Sequence, residues 1–222
     1  MKNKSDTNLI RHYCKLHQDQ IFDVHDMMRE FPNVSPSNFR KYVSRLAEDH
    51  VLALISKGVY LIAGVAEDFL VEDAINSYYI TGDTRPAKDW LLYTSGIIQE
   101  RPEVKTYYKN WNQGNKKIGN IQILESKIIP TPFNRIKVTA LDLIALEKEI
   151  KEDDLGNYSK CLFELLQNYK DLEWLYEPSI DYPRWVYLKL ANLLDSMHIS
   201  NRVMETYEDE IERANRLERN RI

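Results

Sequence analysis

Apolar positions in the first 65 residues recur at helical spacing, then switch to the spacing of strands. Leu9, Ile10, Tyr13 and Leu16 fall three to four apart, as one face of a helix requires. Ser5 or Asp6 is placed to cap that helix. Ile21-Phe22 reads as a short apolar link. Asp23 caps a second helix through Val24, Met27, Met28 and Phe31, which Pro32-Asn33 stops. Ser35-Pro36 starts a third. Serine at the N-cap accepts from an orphan amide, and proline at the first helical position lacks an N–H that would find no partner there. Phe39, Val43 and Leu46 then recur at i, i+4, i+7 and define the face that goes inward. After Asp49-His50 the apolar runs 51–55 and 59–62 are of β type, joined by the tight turn Ser56-Lys57-Gly58.

Three helices followed by a two-stranded hairpin is the element order of a winged helix-turn-helix, with Gly64 closing the unit. Beyond it, 66–79 and 86–96 read as helices (Phe69, Leu70, Ala74 and Tyr78 in the first, Trp90 and Leu91 in the second). A β region is expected over 104–111, 118–124, 128–129 and 136–138, with a turn at Asn112-Gln113-Gly114-Asn115. Thr139 is placed to cap a helix to Ile150, Asn157 another, Pro183 opens a third, and Ser200 caps a last, densely charged one. On that last helix Val203, Tyr207, Ile211 and Leu217 leave a thin apolar stripe for docking. The fold class predicted is α+β: a winged helix-turn-helix over 1–65 and a mixed α/β C-terminal domain over 66–222.

Charge sharpens the division. Residues 1–65 hold nine Lys/Arg and seven Asp/Glu, a balance of +2, while the remainder holds 21 against 27, a balance of −6. The total of −4 argues against a generic nucleic-acid coat, but a specific DNA binder needs only one basic face. No apolar run approaches the roughly 20 residues that span a bilayer. The N-terminus lacks the apolar middle of a signal peptide. Cys14 and Cys161, far apart, read as reduced thiols of a cytoplasmic protein.

The third helix carries the candidate chemistry. A B-DNA major groove, about 12 Å wide, admits one helix that buries one face in its own domain and offers the other to base edges. Arginine forks onto guanine O6 and N7, and asparagine onto adenine N6 and N7. Asn38, Arg40, Lys41, Ser44 and Arg45 lie outside the apolar stripe and supply such groups. Ser35 and Ser37 stand at the helix start, where free amides and the helix dipole favour a phosphate. Lys57 sits at the wing tip, in reach of backbone phosphate. The competing reading is a solvated basic face on a structural or protein-binding three-helix unit. Arg40, Lys41 and Arg45 covered by the rest of the chain would end the DNA reading, since a covered face reads no DNA.

Catalytic patterns are weak. Gly82-Asp83 and Glu152-Asp153-Asp154 lack the strand-borne Asp-x-Asp spacing of a nucleotidyltransferase and read as solvated turns. The five histidines and two cysteines do not cluster at zinc spacings, and the seven glycines are single. No cofactor, metal or enzymatic activity is expected. Tyr107, Tyr108 and Trp111, interleaved with Lys105 and Lys109, are of the kind that stacks single-stranded bases, yet cross-strand packing is the simpler expectation.

Phe39, Val43-Ser44-Arg45-Leu46-Ala47, Leu52 and Lys57-Gly58-Val59-Tyr60-Leu61 together resemble the start of the AbiEi-like antitoxins of type IV toxin–antitoxin and abortive-infection systems. The similarity is specific between Phe39 and Tyr60. It continues more loosely through Tyr79-Ile80-Thr81-Gly82, Trp90-Leu91-Leu92-Tyr93, Val138-Thr139-Ala140-Leu141-Asp142-Leu143 and Leu190-Ala191-Asn192-Leu193-Leu194-Asp195-Ser196-Met197. The stretch from Ser95 to Pro102 departs from the family pattern. The resemblance implies a winged helix that represses the chain's own promoter. It also implies a C-terminal domain that counters a nucleotidyltransferase-type toxin without capturing it in a tight complex. The alternatives are a stand-alone regulator or protein-interaction module with no toxin partner and, more remotely, a divergent nucleotidyltransferase.

Overall fold

A computed structural model describes residues 3–64, 68–132, 134–167 and 182–219; the side chains of Phe69, Leu70 and Leu217 lie outside the described residues. The chain is mixed α and β. It divides into two compact units. The first comprises Met1–Gly82 together with Lys116–Gln122, and the second Asp83–Asn115 with Ile123–Ile222.

The first unit opens with α1 (Asn3–Leu16), β1 (Ile21–Asp23), α2 (Val24–Glu30) and α3 (Pro36–Glu48), followed by β2 (Leu52–Ser56) and β3 (Val59–Ile62). Helix α1 starts earlier than a cap at Ser5 or Asp6 would set it. Asp23 caps α2 as the sequence suggests, its Oδ1 accepting from the His25 amide at 2.9 Å. Ile21-Phe22, expected as a link, is strand: β1 pairs antiparallel with β3, Ile21 opposite Leu61, and the sheet order is β1-β3-β2. Ile21, Phe22 and Asp23 are all buried, so this short strand shows no alternation for a pattern to find. Strand β2 runs antiparallel to β3 with an irregularity between Leu54 and Ser56. The core gathers Ile10, Phe22, Phe39, Val43, Leu46 and Leu52 under this sheet. Phe22 stacks on Phe39 at 6.1 Å, and each such fully buried side chain stabilises the unit by roughly 1.5–3 kcal/mol. Helix α4 (Asp68–Tyr79) and strand β6 (Lys116–Ile118) complete the first unit.

The second unit contains β4 (Thr84–Pro86), α5 (Lys88–Thr94), β5 (Lys105–Lys109) and the end of β7 (Ile121–Glu125), then α6 (Arg135–Leu146), α7 (Leu155–Gln167), α8 (Arg184–Ser196) and α9 (Val203–Arg219). Strand β4 is antiparallel to β5, and β7 follows β5 across the sheet. Residues 128–129 are not strand, and 136–138, expected as strand, lie in the first turn of α6. That helix buries Val138, Ala140, Leu141, Leu143 and Ile144, so it is apolar nearly all round and its 3.6-residue period is hidden. Thr139 does not cap it: its Oγ1 donates to the Arg135 carbonyl at 2.8 Å from inside the helix. The turn before α6 is fixed by a reciprocal pair instead. Asn134 Oδ1 accepts from the Thr131 amide at 2.7 Å, and Thr131 Oγ1 from the Asn134 amide at 3.1 Å. Helix α7 begins at Leu155, ahead of Asn157. Helix α9 begins at Val203, whose amide donates to Asn201 Oδ1 rather than to Ser200. Val203 and Tyr207 of its apolar stripe are buried, and Ile211 packs on the same core. Among the described residues no helix is long and apolar enough to cross a membrane.

Candidate nucleic-acid interface

Helix α3 is built to be anchored on one side only. Ser35 holds extended backbone (φ −60°, ψ 144°) with Pro36 at the first helical position. Its Oγ accepts a long hydrogen bond from the Asn38 amide at 3.4 Å. Phe39, Tyr42, Val43 and Leu46 are buried. Tyr42 widens the expected stripe without changing its direction. On the opposite side Ser35, Ser37, Arg40, Lys41, Ser44 and Arg45 are exposed, and Asn38 at the margin is half-buried.

Two details change how these groups can act. Ser44 Oγ donates to the Arg40 carbonyl at 3.1 Å, so its hydroxyl proton is engaged and the oxygen is left as an acceptor. The helix start is also less open to an anion than expected. The Asn38 amide is taken by Ser35 Oγ, the Phe39 amide by the Ser35 carbonyl, and Pro36 has none, which leaves the Ser37 amide.

The charges in this unit are arranged unevenly. Its sequence holds eleven Lys/Arg and eleven Asp/Glu, so attraction for a polyanion has to come from placement rather than from the total. Asp49, which caps the C-terminus of α3, pairs with Arg11 of α1. Asp26 accepts from Tyr78 at 2.8 Å and lies 3.9 Å from Arg29. Asp23, 1% exposed, accepts on Oδ2 from both the Tyr79 hydroxyl and the Lys116 ammonium. Burial, and then the bond to Asp23, push the Tyr79 phenol far above its usual range, so it stays a donor. Among the described residues Arg40, Lys41, Arg45 and Lys57 take part in no such pair. Asp23, Asp26 and Asp49 are thus answered inside the unit, and among the described residues the cations of the α3 face are in no ion pair.

Lys57 is exposed at the turn between β2 and β3. Gly58 follows it at φ +77°, a left-handed backbone that glycine adopts without strain. The Gly58 carbonyl accepts from the Val24 amide at 2.9 Å, which ties the turn to the start of α2. No protein-family model and no curated protein matches the chain.

The second unit holds a different kind of charged site, which the sequence reading missed. Arg85 of β4, 6% exposed, donates from Nε to Asp142 of α6 at 2.8 Å and from Nη1 to Ser126 Oγ at 3.1 Å. Its guanidinium stacks over Tyr108, 4.7 Å from the ring centre. The Tyr182 hydroxyl donates to the other Asp142 oxygen at 2.6 Å. Burial alone would lower the Arg85 pKa; Asp142 and Tyr182 together outweigh it, and the net shift is upward. A cavity of about 410 Å³ lies beside the cluster, but both charged groups are already paired within the protein. The signal available was a lone carboxylate in an apolar helix, Asp142 between Leu141 and Leu143.

The aromatic and basic residues of β5 are likewise engaged within this unit. Lys105 sits 5.8 Å from the Trp90 ring and Lys109 5.7 Å from that of Trp111, with Asp83 at 3.7 Å from the Lys109 ammonium. Tyr107 packs against Trp90. Cys14 and Cys161 are free thiols. Burial pushes Cys14 up to about 11 and raises Cys161, so both are protonated near neutral pH and poorly nucleophilic. Among the described residues no group of three or more His, Cys, Asp or Glu is placed to hold a metal ion.

Proposed function

We propose that the first unit is a winged helix that binds double-stranded DNA through α3, and that the chain is a transcriptional autorepressor and antitoxin of the AbiEi-like class. The observation that carries the DNA-binding half is the two-sided α3. Its apolar side is buried, and Arg40, Lys41 and Arg45 on the other side are exposed and, among the described residues, in no ion pair. The small sheet β1-β3-β2 beside three helices, with Lys57 at its turn, supports the same reading. Arg40 and Arg45 contact guanine edges, Asn38 and Ser44 contribute polar contacts, and Ser35, Ser37, Lys41 and Lys57 face phosphate. The reading includes no catalytic step.

The antitoxin half is supported by the sequence resemblance between Phe39 and Tyr60 and its looser continuation to Met197. The partner would be a nucleotidyltransferase-type toxin, countered without a tight complex.

Binding of the full chain to its own promoter duplex across a salt series tests the first half. A linear fall of log K with log salt, and tighter binding than to an unrelated duplex, is expected. Equal affinity for both duplexes would defeat the repressor reading. Co-expression with a nucleotidyltransferase encoded beside it tests the second half. Rescue of growth that is lost on deleting the second unit is expected. Promoter binding without any rescue would leave a stand-alone regulator.

A further inference from the structure

We propose that the hairpin tip Lys116–Gln122 is a second basic arm of the same nucleic-acid face, with Lys117 contacting a phosphate beside Lys57. The inference rests on the DNA-binding reading above and adds to it a residue sixty positions away in sequence.

Three observations place Lys117. Successive strand residues point to opposite sides, and β6 follows that rule. Lys116 is turned inward, its ammonium on the buried Asp23 carboxylate and 5.3 Å from the Tyr79 ring centre. Ile118 is fully buried. Lys117 between them is therefore held outward, and it is exposed. The second observation is its neighbour. The Ser56 hydroxyl donates to the Lys117 carbonyl at 3.1 Å, and Ser56 immediately precedes Lys57 at the turn of the β2–β3 hairpin. The β2–β3 turn with its exposed Lys57 is thereby fastened beside β6 with its exposed Lys117. The third is charge. Among the described residues neither Lys57 nor Lys117 takes part in an ion pair, whereas Lys116 does.

The hairpin closes tightly beyond this lysine. Its two-residue turn has Gly119 at φ +58°, the glycine-first geometry of tight hairpins, and Ile121 beyond it is fully buried. A lysine held this way makes a phosphate contact that carries no base information.

The test uses the full chain and a labelled promoter duplex over a salt series. Lys117→Gln retains the carbonyl that Ser56 uses, so folding, checked by thermal melting, is unchanged. The slope of log K against log salt is expected to fall by about one unit, with equal loss on specific and unrelated duplexes. Lys57→Gln behaves alike, and the double variant loses about two units. Lys160→Gln, an exposed lysine on α7, leaves the slope as it was. If Arg45→Ala and Lys57→Gln weaken binding while Lys117→Gln keeps the wild-type slope, the second arm is overturned and the α3 reading stands. If the wild-type chain binds no duplex at all, the α3 reading falls and takes this inference with it.

Discussion

Arg85 in the second unit and Arg40 and Arg45 in the first carry the same charge in opposite surroundings. Arg85 is buried, bonded to Asp142 and Ser126, and stacked on Tyr108. Arg40 and Arg45 stand in solvent on one face of a helix whose other face is packed, and among the described residues no acid is paired with them. A guanidinium of the first kind holds strands and helices together. One of the second kind adds little to folding and remains available to an external anion. Substitutions should therefore divide cleanly, stability on one side and binding on the other.

The largest effect is expected at the buried pair. Asp142→Asn strips Arg85 of its charge partner and should destabilise the second unit by about 3–5 kcal/mol in denaturant unfolding. A loss below 1 kcal/mol would show that Arg85 is not held by Asp142 in solution. Arg45→Ala comes next and inverts the pattern. Its unfolding free energy should stay within about 0.5 kcal/mol of wild type, while affinity for the promoter falls by about 1–3 kcal/mol and sequence preference relaxes. Arg45→Ala and Arg40→Ala that both bind promoter DNA like wild type would place the contact surface elsewhere.

Smaller effects sharpen the contrast within the first unit. Ser35→Ala removes the α3 cap and should cost about 1 kcal/mol of stability. The Cys14 thiol gives a pH handle. Its folded pKa is raised from the ordinary 9.0 to about 11, so the folded state holds the proton more tightly than the unfolded chain. Its contribution is intact below pH 9 and is lost between about pH 9 and 11, roughly 1 kcal/mol by pH 10. Cys14→Ala should flatten that part of the stability profile. An identical decline in the variant would assign the alkaline loss to other groups, of which Tyr78 and Tyr79, raised by burial and by their bonds to Asp26 and Asp23, titrate higher still.

What could be read from the sequence follows from how each signal arises. Helix α3 was legible because cap, proline and apolar spacing all agree over 13 residues. The hairpin β2–β3 was legible because Gly58 marks its turn. Strand β1 was not, since three consecutive buried residues carry no period. Helix α6 was misread at its start for a related reason: a helix buried on most sides looks like a β run while its β-branched residues come first. The face of α3 was visible residue by residue, but which of its groups were already engaged was not. The Ser44 hydroxyl turned back on Arg40, and Asn38 half-covered, are matters of side-chain placement. Pairings between distant positions, Arg85 with Asp142 and Asp23 with Lys116, have no local pattern at all.

The Lys116 contact also sets an order of events during synthesis. Asp23 is laid down early, yet the cation that neutralises it is made only after all of α4, β4, α5 and β5 have emerged. Until then the start of α2 encloses a carboxylate that has the Tyr79 hydroxyl but lacks its cation, a state that disfavours complete burial. A nascent chain halted at Gly82 is thus an unfinished unit, and docking of Lys116–Gln122 is the late step that consolidates it.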